Sequence, residues 1–363
     1  MLEQILRQRG VAELADFDAE SRAEVMNGYA QLLFDREYGR PLPPPTALSF
    51  EKLPLDRYGK VFCAGKATSR RVIAHSVVCG REFSFPFTAV IPTKPGKYPF
   101  FVHNNFTDGS PDKYMPTEEL VDNGFAVFSL CYTDVTSDSD DFSDGLAGAV
   151  LSGCKTCADR APDDPGKIAM WAWASMRVMD YCMTLDCLDR ENGAIIGHSR
   201  LGKTALFTGM SDGRFRYVIS SCAGCSGDAI TAGKAGEHIA DITKNFPYWF
   251  CNNYKNYIDE SKLDLDQHML MAQTAPRILM VGSAEDDIWA DPDSQMLACR
   301  AASKAWENLG LSGFVAPDRL PVPGDNFDDG EICFHLREGL HYLSREDWNI
   351  YMASIKKHMK NGR

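Results

Sequence analysis

The stretch Ala194–Leu206, AIIGHSRLGKTAL, decides the fold, and it supports two readings. Its GHSRLGKT portion fits G-x-x-x-x-G-K-[ST], the loop that cradles phosphates in nucleotide hydrolases. It also sets Ser199 between a short apolar run and a helix-like segment, where a serine hydrolase of the α/β type carries its nucleophile. In the first reading Lys203 holds a phosphate. In the second Ser199 attacks an ester.

The wider chain weighs the two. A nucleotide hydrolase needs a magnesium-holding acid at the end of another apolar strand, and RILMVGSAEDD (277–287) offers one. Yet a phosphate loop usually follows the first strand of its domain, and this one follows several strand-like runs. The elbow reading asks for a serine, then an acid, then a histidine, in that order and each just past a strand. The chain has Ser199 after AIIGH, the cluster Glu285, Asp286 and Asp287 after RILMVGSA, and His341 in REGLHYLSREDW. Three loop residues in the required order favour the serine hydrolase. One departure stands out: the usual elbow is G-x-S-x-G, but Leu201 occupies the second glycine's place and Gly202 comes one residue later.

Outward from the elbow the pattern is α/β. The first ~45 residues are expected to be helical, with apolar residues at helical spacing in ESRAEVMNGYAQLLFDREYG, until RPLPPP ends the run. RRVIAHSVVCG and EFSFPFTAVIP read as a hairpin joined at Cys79-Gly80, and YPFFVHNN and GFAVFSLCY as further strands. DVTSDSDDFSDGLAGAV reads as a long polar surface loop. Helices and strands then alternate: a helix in PGKIAMWAWASMRVMDYCMTL, the elbow itself, strands in RFRYVISSCAG, APRILMVGSAED and EICFHLREGLH, and helices in DPDSQMLACRAASKAWENLG and SREDWNIYMASIKKHM. Such alternation predicts an α/β-hydrolase with a mostly parallel central sheet, antiparallel N-terminal edge strands and helices on both faces. The expected organisation is a helical extension over 1–45 and a single catalytic domain over 46–363.

The formal net charge of -12 argues against a nucleic-acid groove, which needs a basic patch. The opening MLEQILRQRGVAELADFDAE has charges throughout and no apolar signal-peptide segment, and no run reaches the length of a membrane span. A cytoplasmic location without membrane attachment is therefore expected, with the 12 cysteines reduced. Cys154 with Cys157 and Cys222 with Cys225 have C-x-x-C spacing, but no histidine cluster accompanies either, so they read as scattered thiols. No cofactor or metal is expected.

GHSRLGKTAL resembles the G-C/H-S-R-x-G-K signature of the glucuronoyl esterases, carbohydrate esterase family 15. The likeness runs from about residue 165 onward and includes GKIAMWAWASMRVMDY, FPYWF, DQHML, DDIWADP and GLHYLSREDW. The resemblance implies an α/β-hydrolase that cleaves glucuronic acid esters; bacterial relatives are often labelled acetylxylan esterases. It implies Ser199 as nucleophile, His341 as base and Arg200 as an oxyanion ligand. It likewise implies that Lys203 contacts sugar hydroxyls, Glu237 binds uronate hydroxyls and Trp289 lines the same pocket. Many members carry a glutamate just after the strand that follows the elbow, where this chain has Cys222. Others use an aspartate after the next strand, two residues before the tryptophan, which selects Asp287. Glu285 and Asp286 stay open as alternatives.

The expected chemistry is ester hydrolysis by a Ser-His-Asp triad, with the Arg200 backbone N–H as one oxyanion donor and a second from the loop near Asn105 or Phe106. The substrate is a small-molecule or oligosaccharide ester, either a (4-O-methyl) glucuronate ester or an acetylated sugar. A nucleotide hydrolase, and a catalytically dead binding module on the same fold, are the other classes. His103 and His268 read as structural or pocket-lining, and His198 as pointing into the fold.

Overall fold

The computed structural model describes residues 1–110 and 112–360. Its ten strands are β1 (Ala47–Lys52), β2 (Ala67–Val78), β3 (Arg81–Pro92), β4 (Tyr98–Asn105), β5 (Ala126–Cys131), β6 (Leu188–His198), β7 (Tyr217–Ser221), β8 (Ile278–Ala284), β9 (Asn326–Phe327) and β10 (Ile332–Arg337). They form one sheet in the order β1-β2-β3-β5-β4-β6-β7-β8-β10-β9. From β5 to β10 every neighbouring pair is parallel, while β1, β2 and β3 join antiparallel on one side and β9 on the other. The β2–β3 hairpin turns at Cys79 and Gly80, with φ of 51° and 74°, the left-handed pair that a tight two-residue turn requires. Strand order reverses between β4 and β6, and in open α/β sheets ligands bind at the carboxyl ends of the strands beside such a reversal.

Alternating side chains bury both faces of the parallel strands. Phe100, Val102, Ile195, Val218, Leu279 and Val281 share one apolar core with the helices Lys167–Cys182, Arg200–Ser211 and Pro292–Ala302. Phe101, Ala194, Ile196, Ile219 and Met280 face the other, against Trp348, Tyr351 and Met352 of the helix Arg345–Lys360. No helix of the described residues is long and apolar enough to cross a membrane.

The N-terminal segment is helical over Leu2–Gln8 and Arg22–Leu33, continuing as a π-turn through Tyr38. It lies against the body. Arg9 donates to Ser294 Oγ at 2.6 Å, Arg300 to Glu3 at 2.7 Å, and the Tyr38 ring stacks on Phe207 of the elbow helix at 4.0 Å. The π-turn also carries Glu37 into full burial, where it accepts a hydrogen bond from Gln267 at 3.1 Å. Burial pushes this carboxyl up to about 8, against the pull of Gln267 and the Lys203 charge. The folded state therefore keeps a proton that the unfolded chain loses near 4.5, so the contribution of Glu37 to stability is full below that pH and declines up to about 8. Glu37→Gln keeps an acceptor for Gln267 and cannot ionise. Its unfolding free energy should exceed the wild-type value increasingly between pH 5 and 8, by about 4 kcal/mol at most, as denaturant titrations at both pH values will show.

The segment 134–150 departs from the expected surface loop. It forms a helix over Gly145–Val150 and buries Val135, Thr136, Phe142, Leu146 and Ala147. The cause is Lys167, whose fully buried ammonium draws in Thr136 Oγ1 at 2.7 Å, the Asp141 carbonyl at 2.6 Å and Asp144 Oδ1 at 3.3 Å. A carboxylate that looks solvated in sequence, that of Asp144, is here the partner of a buried cation.

Candidate active site

Ser199 directly follows β6 with φ 58° and ψ -128°, a conformation that costs a non-glycine residue roughly 1–3 kcal/mol. It is held by its N–H to the Ser221 carbonyl at 2.8 Å and by its own carbonyl, which accepts from the N–H groups of Gly202 and Lys203. The chain turns from strand to helix within this one residue, which leaves the hydroxyl at the tip of the sheet with a helix N-terminus directly behind it. A Cβ on Gly197 would lie 2.0 Å from the Leu201 oxygen, so no larger residue fits there. A Cβ on Gly202 would lie 3.0 Å from both Ser220 Oγ and the Ala223 side chain. Gly202 thus supplies the close helix-to-strand approach one position later than the usual pattern, and Leu201 is free to enter the core.

The same geometry removes the phosphate-loop alternative. The helix begins at Arg200, so Gly202 and Lys203 lie inside its first turn and no cradle of loop amides precedes it. The Lys203 ammonium is buried and donates to the carbonyls of Ala223 and Cys225, with Glu237 Oε2 at 3.5 Å. Through these bonds Lys203 braces the loop after β7 and stands beside Glu237.

His341 Nδ1 lies 2.6 Å from Asp287 Oδ2, while Asp287 Oδ1 accepts the Ala290 N–H at 3.3 Å. Burial works to raise the Asp287 carboxyl, but the hydrogen bond and charge of His341, followed by the Ala290 N–H, outweigh it and hold it below the ordinary value. Glu285 and Asp286 point to solvent. Their N–H groups bond to the carbonyls of Arg337 and Gly339, so the loops after β8 and β10 run side by side and only the third acid turns inward. With Nδ1 committed to Asp287, Nε2 is the imidazole nitrogen left to face a hydroxyl.

His198, the residue before Ser199, is buried with its ring centroid 4.4 Å from that of His341 and its Nδ1 3.2 Å from Ser221 Oγ. Burial, then the charge of His341, push it down to about 3. It stays neutral and packs the second imidazole beside the elbow. His103 is likewise buried, edge-on to Trp348 at 5.3 Å and pushed down to about 4 by burial, and His268 is buried and lowered for the same reason.

Arg200 forms an ion pair with Asp138, and its guanidinium lies over Trp249 at 4.8 Å and Phe246 at 5.3 Å. Asp138 also accepts from Tyr132 Oη at 2.9 Å and Trp249 Nε1 at 2.8 Å. Arg200 Nε is buried with no hydrogen-bond partner among the described residues. The residues expected to supply a second oxyanion donor are otherwise engaged. Asn105 accepts the Phe106 N–H at 2.8 Å and donates to Asp112 and Ser129. Both groups serve the loop rather than a ligand.

Glu237 and Trp289 lie on adjoining loops. The Glu237 N–H bonds to the Trp289 carbonyl at 3.0 Å, and a Cβ on Gly236 would lie 2.5 Å from that carbonyl, so the two loops touch. Trp289 is 51% exposed, which makes it a surface and not a core residue.

A family model described as "Glucuronyl esterase, fungi" matches residues 158–310. The chain is 36% identical over 246 residues to carbohydrate esterase MZ0003 from an unknown prokaryotic organism, spanning 68% of this chain and 56% of that one. Among solved structures, a glucuronoyl esterase from Solibacter usitatus superposes with a TM-score of 0.85 at 26% identity, covering 95% of this chain and 96% of that chain. A promiscuous CE15 esterase from a marine bacterial metagenome gives 0.81 at 29% identity, covering 94% and 93%. By each of these comparisons the chain is similar to glucuronoyl esterases. It spans 56% of the first curated relative and 32% of a 4-O-methyl-glucuronoyl methylesterase from Cerrena unicolor, to which it is 29% identical over 153 residues.

The site also holds residues that the sequence does not mark. Asp138 lies among several acids in DVTSDSDDFSDG, and nothing in their spacing marks the one that meets Arg200. Buried Lys234 donates to the carbonyls of Ala235 and Glu237 and fixes the loop that presents Glu237. Beneath the site, His335 Nε2 and Arg337 Nε bond to opposite oxygens of Asp347 at 2.7 and 2.9 Å, tying β10 to the last helix.

Proposed function

We propose that the protein is a serine carboxyl-ester hydrolase that cleaves esters of (4-O-methyl) glucuronic acid. The observation that carries this reading is the His341–Asp287 pair at 2.6 Å, at the same end of the sheet as a strained serine that opens a helix. Ser199 attacks the ester carbonyl while His341 Nε2 takes its proton and then passes it to the leaving alcohol. Asp287 keeps the imidazole in the tautomer with its proton on Nδ1 and stabilises the imidazolium. The oxyanion is met by the backbone N–H of Arg200 at the helix N-terminus and by the orphaned Nε of its guanidinium. Water then releases the acid by the same steps in reverse roles.

The uronate preference rests on the adjoining loops of Glu237 and Trp289. The Glu237 carboxylate accepts from vicinal sugar hydroxyls, and half-exposed Trp289 offers an apolar ring face to a pyranose. Hydrolysis of methyl glucuronate and of an acetylated xylo-oligosaccharide should be compared under one set of conditions. A higher kcat/KM for the uronate ester is expected; turnover of the acetyl ester alone would replace the uronate reading with that of a deacetylase.

Asp138 acts on this chemistry through Arg200. Asp138→Asn removes the charge that anchors the guanidinium, so kcat should fall by about 10- to 100-fold, less than the loss on deleting an oxyanion donor outright, with KM changing much less. Steady-state kinetics with one ester measure both constants.

A further inference from the structure

We propose that Cys222, Asp287 and His341 form a binding site for a thiophilic divalent cation, zinc or its analogue cadmium, and that occupation of this site shuts the hydrolase off. The binding part stands on the geometry alone; the inhibitory part rests on the catalytic reading above.

Cys222 directly follows β7 with φ 48°, and its N–H bonds to the Gly282 carbonyl of β8 at 2.8 Å. That posture is unusual for a residue with a side chain, and it holds the thiol against the acid and the base. One donor atom from each of Cys222, Asp287 and His341 lies within 4.8 Å of the other two, the only such trio of His, Cys or carboxylate side chains among the described residues. Sulfur, carboxylate oxygen and imidazole nitrogen are the ligand types that zinc takes. Bonds of about 2.3 Å to sulfur and about 2.0 Å to nitrogen and oxygen put tetrahedral ligands about 3.5 Å apart, so the trio needs to shift by only about 1 Å.

The donors come from the tips of three neighbouring parallel strands, β7, β8 and β10. The sheet therefore builds their convergence, and no single loop has to fold around the ion. Cys222 and Asp287 are buried, whereas the His341 side chain is 44% exposed. The histidine supplies both the entry path and the ligand that moves. Three protein ligands leave a fourth tetrahedral position open toward the site mouth for water. The thiols of Cys154 and Cys157 have no such company.

On binding, the Cys222 S–H bond breaks, its proton leaves to solvent and a metal–sulfur bond forms. Nδ1, the nitrogen beside Asp287, becomes the imidazole ligand, and its proton moves to Nε2. An imidazole protonated on Nε2 has no lone pair there to accept the Ser199 proton, and Asp287 is drawn off as well. No oxidant or reductant is involved, and a chelator reverses the step.

The test is a titration of the metal-free full chain with cadmium chloride, reading the ultraviolet thiolate-to-cadmium band and ester hydrolysis in parallel. A band saturating at one equivalent is expected, with hydrolysis lost in step and restored by chelator. Cys222→Ala should abolish the band and raise the inhibiting concentration, each rate being compared with that variant's own metal-free rate. His341→Ala, at an exposed position, should weaken cation binding by about tenfold or more. A band that survives in both variants comes from another thiol, such as exposed Cys79, and overturns the site. The absence of any band in the wild type does the same, and binding without loss of hydrolysis overturns the inhibitory role. A chain that binds cadmium through Cys222 and His341 but hydrolyses no ester upholds the site and refutes the catalytic reading instead.

Discussion

Ser199→Ala is expected to lower kcat for ester hydrolysis by about 10⁵-fold or more, and His341→Ala to lower it comparably. The double variant should lose little beyond either single one, because a nucleophile without its base and a base without its nucleophile are equally idle. The test is the residual rate of each purified variant on a glucuronate ester; a variant that keeps a tenth of the wild-type rate would put the chemistry elsewhere. The same residue carries a stability signature. At φ 58° a side chain is strained, and glycine is not. Ser199→Gly should therefore be about 1 kcal/mol more stable than Ser199→Ala in denaturant unfolding while being just as inactive.

Asp287→Asn is expected to cost about 10⁴-fold in kcat with the fold intact. The asparagine amide would donate to His341 Nδ1 and push the imidazole proton onto Nε2, which leaves the ring unable to accept from Ser199. Glu285→Gln and Asp286→Asn should stay within about twofold, as exposed side chains away from such contacts do. Kinetics of the three variants, with circular dichroism to verify folding, decide among the acids. A larger loss in Glu285→Gln than in Asp287→Asn would move the role to its neighbour.

Much of the fold was legible because it rests on local rules. Cys79-Gly80 between two alternating runs announces a tight hairpin, and the apolar spacing from Lys167 to Cys182 announces a buried helix. The elbow was legible because an apolar strand, a serine and a helix follow one another within a dozen residues. Polar segments were harder. The acids of 134–150 read as a solvated loop, because nothing nearby in sequence reveals that Lys167 will be buried among them. Nothing near Lys203 in sequence hints that two carbonyls from the loop after β7 will meet its ammonium.

By itself, then, the chain of residues determined the α/β alternation, the hairpin at one edge, the serine at a strand-to-helix turn and the presence of an acid and a histidine past later strands. All of these follow from backbone preference and from the period of burial along a strand or helix. Only the tertiary structure decided which of three consecutive acids meets His341, that Gly202 replaces the missing elbow glycine, that Asp138 holds Arg200, and that the Cys222 thiol stands against the acid and the base. Those outcomes depend on where loops from separate strands converge, and a contact between residues tens of positions apart leaves no periodic trace in either segment.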